Sequence, residues 1–240
     1  MISEQQFIPA PFGQPVRAFS TTRLGGASAA PFDSFNLGSA CGDDAARVAE
    51  NRRTLRRALP DEPGWLKQVH GDRVIHLDDW HEGVAADAAW TDRPGQVAAV
   101  LTADCLPILV ADRAGTCVAA IHAGWRGLAA GVIGQCIRAL PAPPENLVAW
   151  LGPRICQAHY EVGEDVRGAF AGAADAFEPS REGHWLADLP AIAEMQLDAA
   201  GVGEFHDSCA CTAEGSRFFS YRRDQETGRM AAVIWLEHGA

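Results

Sequence analysis

The chain holds several short, almost wholly apolar runs of strand length, at residues 97–102, 106–110, 117–122, 147–151 and 230–236. A strand with one wet face alternates apolar and polar side chains. Runs without that alternation predict strands covered on both faces. Residues 16–22 and 72–77 add two shorter strand signals. Helical spacing falls between them. Asp43 or Asp44 offers an N-cap to a segment reaching Leu59, with Val48, Leu55 and Leu59 on one face. Leu128, Val132, Cys136 and Leu140 recur every four residues after Gly127 and predict a second helix. Val162, Val166, Phe170 and Phe177 predict a third, and Leu189, Ile192 and Leu197 a fourth, closed by Gly201. The pattern is mixed α and β. No repeat or low-complexity linker divides residues 1–240, so one domain is expected, and Pro141-Ala142-Pro143-Pro144 reads as a loop within it.

Charge narrows the partners. Twenty Lys and Arg stand against 31 Asp and Glu, a formal net charge of −11. That excludes the broad basic footprint of a nucleic-acid binder but leaves room for a small anion in a local pocket. The seven Cys are odd in number, irregularly spaced and without a C-x-x-C, which argues against a disulfide framework or zinc ribbon. A reducing cytoplasm fits them best. Residues 1–15 show no signal peptide, and the apolar stretch 97–111 is broken by Asp104 and Pro107, so no membrane span is expected. Monomer is the default state.

Three stretches place reactive side chains beside apolar runs: Gln68-Val69-His70-Gly71, Thr102-Ala103-Asp104-Cys105-Leu106-Pro107 and His122-Ala123-Gly124-Trp125-Arg126-Gly127. Strand ends that run into Gly-rich turns are where α/β proteins expose functional groups. His70, Cys105 and His122 together make a two-imidazole, one-thiolate zinc set with an open fourth position, the catalytic pattern. Their long separations leave packing residues as the plain alternative. Asp104, a carboxylate between two apolar runs, is costly unless paired or functional. Arg126 between two glycines fits a phosphate, or equally an ion pair at a helix start. Arg23 in Thr22-Arg23-Leu24-Gly25-Gly26 offers an anion-binding turn, and Asn36 either orients a ligand or fixes a loop. Phe218-Phe219-Ser220-Tyr221-Arg222-Arg223 reads as a core-anchored turn whose arginines pair with acids rather than a base-stacking platform. Cys209-Ala210-Cys211 lacks a third local ligand, and His159 has no motif around it.

Taken in order along nearly the whole chain, these blocks resemble the YfiH-type family, also called the laccase-domain or multicopper polyphenol oxidase family. Ala86-Asp87-Ala88, Leu151-Gly152-Pro153 and Tyr160-Glu161-Val162-Gly163 extend the match. The resemblance implies an α+β fold layered as a four-layer α/β/β/α sandwich, and a zinc ion on His70, Cys105 and His122. It implies phosphorolysis of adenosine, inosine, guanosine and methylthioadenosine, and deamination of adenosine. Purine nucleosides and inorganic phosphate are the implied partners. Arg23 falls where the family suits phosphate, with Arg126 and Lys67, the only Lys, as further phosphate contacts. Asn36 and Gln68 are expected to contact substrate, and Asp104 to carry a proton or orient a ligand. The stretch 154–159 departs from the family pattern and is expected to alter one wall of the site.

Three rivals remain at this stage. Two His and one Cys also form the trigonal copper set of a phenol oxidase, with Met195 and Met230 as axial candidates. Cys105 with His122 as base would make a Cys–His hydrolase. A non-enzymatic role, or one in editing cell-wall peptides, is the third.

Overall fold

The structure, a computed structural model, describes residues 6–238. The first five residues of the N-terminal stretch read for a signal peptide lie outside them. Strands and helices are numbered in chain order. A four-stranded sheet has the order β1 (Phe7–Pro9), β2 (Val16–Thr21), β13 (Met230–Leu236), β5 (Val97–Thr102), all antiparallel. A six-stranded sheet has the order β12 (Glu204–Asp207), β8 (Leu147–Leu151), β6 (Leu106–Asp112), β7 (Val118–Ala123), β4 (Ala88–Thr91), β3 (Val74–His76). Its two edge pairs, β12 with β8 and β3 with β4, are parallel, and the rest antiparallel. A small third sheet orders β10 (Phe177–Pro179), β11 (His184–Ala187) and β9 (Glu161–Gly163).

The unbroken apolar runs follow from where these sheets sit. Successive side chains of a strand point to opposite faces. Ala98, Val100, Ala232 and Ile234 of the four-stranded sheet share one apolar cluster with Leu109, Ala111, Val118, Ala120 and Trp150 of the six-stranded sheet. The alternate residues Val97, Ala99 and Val233 pack outward with Leu55, Leu59, Phe35 and Leu37. On the far side of the six-stranded sheet, Ile108, Val110, Ala119 and Ile121 meet Leu128, Val132, Cys136, Ile192 and Leu197. Each central strand therefore has no solvent side, and β6, β7, β8 and β13 are buried along their whole lengths.

The helices follow their caps. In α1 (Ala45–Arg56) the Asp44 carboxylate accepts from Ala46 N, as the sequence suggests. The expected second helix is broken in two, α2 (Trp125–Ala130) and α3 (Val132–Ala139), because Gly131 takes φ +86° between them. The expected third helix is a correction. Val162 lies in β9 and Phe177 in β10, leaving only the short α4 (Glu164–Gly168) between. Val166, Phe170 and Phe177 still share one apolar cluster, so the spacing reported burial, not periodicity. In α5 (Leu189–Ala199) Asp188 caps the start, and Gly201 follows at φ +90°. The Phe218–Asp224 turn ends in α6 (Tyr221–Asp224), capped by Ser220, with Arg223 paired to Asp224. No helix among the described residues is long and apolar enough to cross a membrane.

Candidate metal centre

Antiparallel pairing of β6 with β7 puts Leu106 opposite Ala123 and Pro107 opposite His122. Cys105, one residue before β6, and His122, near the end of β7, therefore meet at the same end of the six-stranded sheet. Pairing of β4 with β7 sets Ala88 opposite Ile121 and brings Asp87 to that end too. His70 arrives from the loop ahead of β3. The chain separations that made this set uninformative in sequence are spanned by neighbouring strands.

The ligand atoms of His70, Cys105 and His122 all lie within 4.8 Å of one another. Cys105 Sγ is 4.0 Å from His70 Nε2. A tetrahedral zinc with ordinary Zn–S and Zn–N bonds separates its donors by about 3.3–3.8 Å, so this set needs only a small contraction. His122 is buried, Cys105 half-buried and His70 exposed, which leaves the group open on one side. Gly124 is required beside it. A Cβ there would lie 3.0 Å from Cys105 Sγ and 3.2 Å from His70 Cδ2.

The organising residue is Asp87, just ahead of β4. Its fully buried carboxylate accepts from the backbone N–H groups of Val69 (3.1 Å), His70 (2.9 Å) and Gly71 (2.8 Å). It also lies 2.8 Å from His122 Nδ1, while the Asp87 carbonyl accepts from His122 N at 2.7 Å. One side chain thus holds His70 in its left-handed conformation, φ +59°, and turns His122 Nε2 toward the other donors. Burial alone would raise the Asp87 carboxyl, but the bonds from His122, Gly71 and Val69 outweigh it and hold it below the ordinary value. The signal was present in Ala86-Asp87-Ala88, a carboxylate between two small apolar residues.

In the metal-free chain Cys105 and His122 form a charged couple. Burial opposes ionisation of the thiol, but the His122 imidazolium and the bonds from His122 and His70 bring it down to about 6. Burial likewise opposes the imidazolium, yet the Cys105 thiolate and the Asp87 bond lift His122 to about 9. His70, Cys105 and His122 would hold a cation here, with the imidazoles neutral and the Cys105 sulfur as thiolate.

The other expected site residues divide. Asp104 sits beside Cys105 at φ +87°, but its carboxylate accepts from Thr212 Oγ1 and Arg222 N, both at 2.6 Å. The histidine orienter is Asp87, and Asp104 instead ties the Cys105 turn to the 212–222 segment. Asn36 is fully buried and accepts from Gly38 N and Arg229 N while donating to Asp43, so it fixes a loop. Both ends of the Gln68 amide are taken by the backbone of Leu101. Arg23 is engaged by Asp33 at 3.0 Å and lies over the Phe219 ring. Lys67 and Arg126 are exposed, Arg126 stacked on Trp125. Tyr160, from the Tyr160-Glu161-Val162-Gly163 block, is a further group near Cys105. Burial and the nearby Cys105 push its phenol well above the ordinary value, and Arg222 lies over its ring. Of the two axial candidates for copper, Met230 is buried and its sulfur accepts from Phe219 N, while Met195 is exposed on α5.

This is an α+β protein whose mainly antiparallel sheet ends in a two-histidine, one-cysteine centre. Residues 17–237 match the family described as multi-copper polyphenol oxidoreductase laccase, and the chain belongs to that family, which includes the YfiH proteins. It is 48% identical over 228 residues to a Pseudomonas aeruginosa protein named purine nucleoside phosphorylase PA4543, covering 92% of this chain and 94% of that one. Purine nucleoside phosphorylase YfiH of Escherichia coli is 48% identical over 236 residues, with 95% and 96% covered. Among solved structures, Neisseria meningitidis protein NMB0706 superposes with a TM-score of 0.93 at 44% identity, over 97% of this chain and all of that one. YlmD from Geobacillus stearothermophilus gives 0.91 at 30% identity, over 99% and 98%.

Proposed function

We propose that the chain is a zinc-dependent purine nucleoside phosphorylase that also deaminates adenosine. Its substrates are adenosine, inosine, guanosine and methylthioadenosine, with inorganic phosphate. It acts as a cytoplasmic monomer on free nucleosides, in one domain over residues 1–240 layered α/β/β/α. The three apolar clusters between and outside the two large sheets support that layering. The observation that carries the functional reading is the convergence of His70, Cys105 and His122 under Asp87, in a chain whose relatives are named for this activity. Two neutral imidazoles and one thiolate fit zinc, which supplies Lewis acidity at an exposed face when bound.

In phosphorolysis a phosphate oxygen forms a bond to the ribose anomeric carbon as the carbon–nitrogen bond to the purine breaks. The electron pair leaves with the base, which takes up a proton. Lys67 and Arg126 are the exposed cations that flank the ligand segments and hold phosphate by charge-assisted bonds. Arg23, Asn36 and Gln68 act behind them by fixing the loops, since their polar groups are already committed. Asp104 positions the Cys105 turn rather than carrying a proton. A nucleoside panel with and without phosphate, read by product identification, tests this reading. Ribose 1-phosphate that forms only with phosphate supports phosphorolysis, and inosine formed from adenosine without phosphate supports deamination. Neither product from any nucleoside overturns it.

The thiolate–imidazolium couple favours one second reading, a metal-independent Cys–His hydrolase. Chelation separates the two, because a Cys–His enzyme keeps its activity without metal. Copper on the same three residues is the alternative metal, and a strong visible band with phenol turnover would identify it.

A further inference from the structure

A second group of soft donors lies outside the first centre. The segment 154–159 ends in Cys156-Gln157-Ala158-His159, with Gln157–His159 forming a 3-10 turn. On such a turn residues three apart lie one above the other. Cys156 Sγ is accordingly 3.1 Å from His159 Nδ1. Cys211 and Glu214 repeat the same spacing on the opposing segment. His159 Nδ1 lies 3.7 Å from Cys211 Sγ and 3.8 Å from Glu214 Oε1, and Cys156 Sγ lies 3.7 Å from Glu214 Oε1. All four donor atoms fall within 4.8 Å of one another.

The two segments are held in this register by backbone bonds. Arg154 N donates to Ala210 O at 3.1 Å and Thr212 N to Arg154 O at 2.9 Å. Cys156 N donates to Cys211 Sγ at 3.2 Å. The buried Arg154 pairs through both terminal nitrogens with Asp207. The single nitrogen His159 Nδ1 faces both sulfurs and the carboxylate. A proton relay needs the acid and the nucleophile on different ring nitrogens, so this arrangement is that of ligands round one point. These separations of 3.1–3.8 Å lie close to the donor edges of a tetrahedral zinc, about 3.3–3.8 Å.

We propose that Cys156, His159, Cys211 and Glu214 form a second, closed zinc site. Two thiolates, a carboxylate and a neutral imidazole fill the tetrahedron, leaving no position for substrate, so the ion is structural. It staples the 154–160 and 209–214 segments. Both reach the first centre: Ile155 N donates to Asp104 O at 3.0 Å, and Thr212 Oγ1 to the Asp104 carboxylate. Of Cys209-Ala210-Cys211 only Cys211 takes part, and its co-ligands are Glu214 on the same segment and Cys156 and His159 on the opposing one.

The test is zinc content by mass spectrometry on protein purified with a thiol reductant and dialysed against excess metal-free buffer. Wild type is expected to hold about two equivalents, and Cys105→Ala, Cys156→Ser and Glu214→Gln with Cys211→Ser about one each. Combining Cys105→Ala with Cys156→Ser is expected to leave none. If a variant fails to fold, cadmium-113 resonance on the wild type decides instead. Two signals are expected, one shifted downfield by its second thiolate. One equivalent in both wild type and Cys156→Ser, no cadmium signal with the two-thiolate downfield shift, or a Cys156–Cys211 disulfide in reduced, zinc-supplied protein would each overturn the proposal. Loss of zinc from the first centre alone, read in Cys105→Ala, leaves these outcomes distinguishable from failure of the proposed enzyme activity.

Discussion

Asp87→Asn is the sharpest perturbation of the centre because it preserves shape and removes acceptors. The carboxylate takes four bonds, from Val69 N and Gly71 N on one oxygen and from His70 N and His122 Nδ1 on the other. Asparagine keeps one acceptor oxygen, so its amide nitrogen faces two donors whichever way it turns. If it faces Val69 and Gly71, two bonds to a charged group are lost. Each is worth about 1.5–3 kcal/mol, so the loss is about 3–6 kcal/mol of stability. If it faces His70 and His122, the imidazole accepts at Nδ1 and carries its proton on Nε2, where it no longer binds a metal. The orienting partner of a metal-bound histidine is worth about 10–100-fold in affinity. Urea unfolding of the metal-free protein and zinc competition against a chromophoric chelator measure the two effects. Asp87→Asn protein that unfolds within about 0.5 kcal/mol of wild type, with zinc affinity within twofold, would refute the assignment of Asp87 as the residue that holds both histidines.

Gly124→Ala should weaken zinc binding while leaving the fold intact, because its Cβ would press on Cys105 Sγ at 3.0 Å and His70 Cδ2 at 3.2 Å; unchanged zinc content would contradict the close approach. In metal-free protein Cys105 should react with iodoacetamide with a midpoint near about 6, and zinc should block it; a midpoint near the ordinary 9.0 would refute the His122 contribution. The sign follows from both partners. Stabilisation from Cys105 is complete above 9.0 and lost as pH falls through about 6, while that from His122 is complete below 6.5 and lost as pH rises through about 9. The charged couple therefore belongs to the window between about 6 and 9. Asn36→Ala should cost about 2–6 kcal/mol by orphaning the N–H groups of Gly38 and Arg229, yet leave the KM for phosphate unchanged in folded protein.

What the sequence disclosed was set by the range of the interaction. Strands 97–102, 147–151 and 230–236 match their observed ends, because burial on both faces writes an unbroken apolar run. Short edge strands such as β9, β10 and β12 carry no such run and were not legible. The 128–140 helix was legible as burial, but its break rests on one glycine conformation, Gly131. Among site residues, the meeting of His70, Cys105 and His122 came from the family resemblance and not from their spacing, since it depends on the β4–β7 and β6–β7 registers. Asp87, Thr212 and the commitment of Asn36 and Gln68 to backbone partners depend on the same long-range pairing, and no local spacing encodes them.

The metal centre and phosphorolysis are tested together in one assay. Inosine is incubated with wild type and with Cys105→Ala, each with and without phosphate, and hypoxanthine and ribose 1-phosphate are quantified alongside zinc content. Equimolar products are expected from wild type only when phosphate is present, with loss of both products in Cys105→Ala together with the zinc of that site. Equal rates in the two proteins would contradict this expectation.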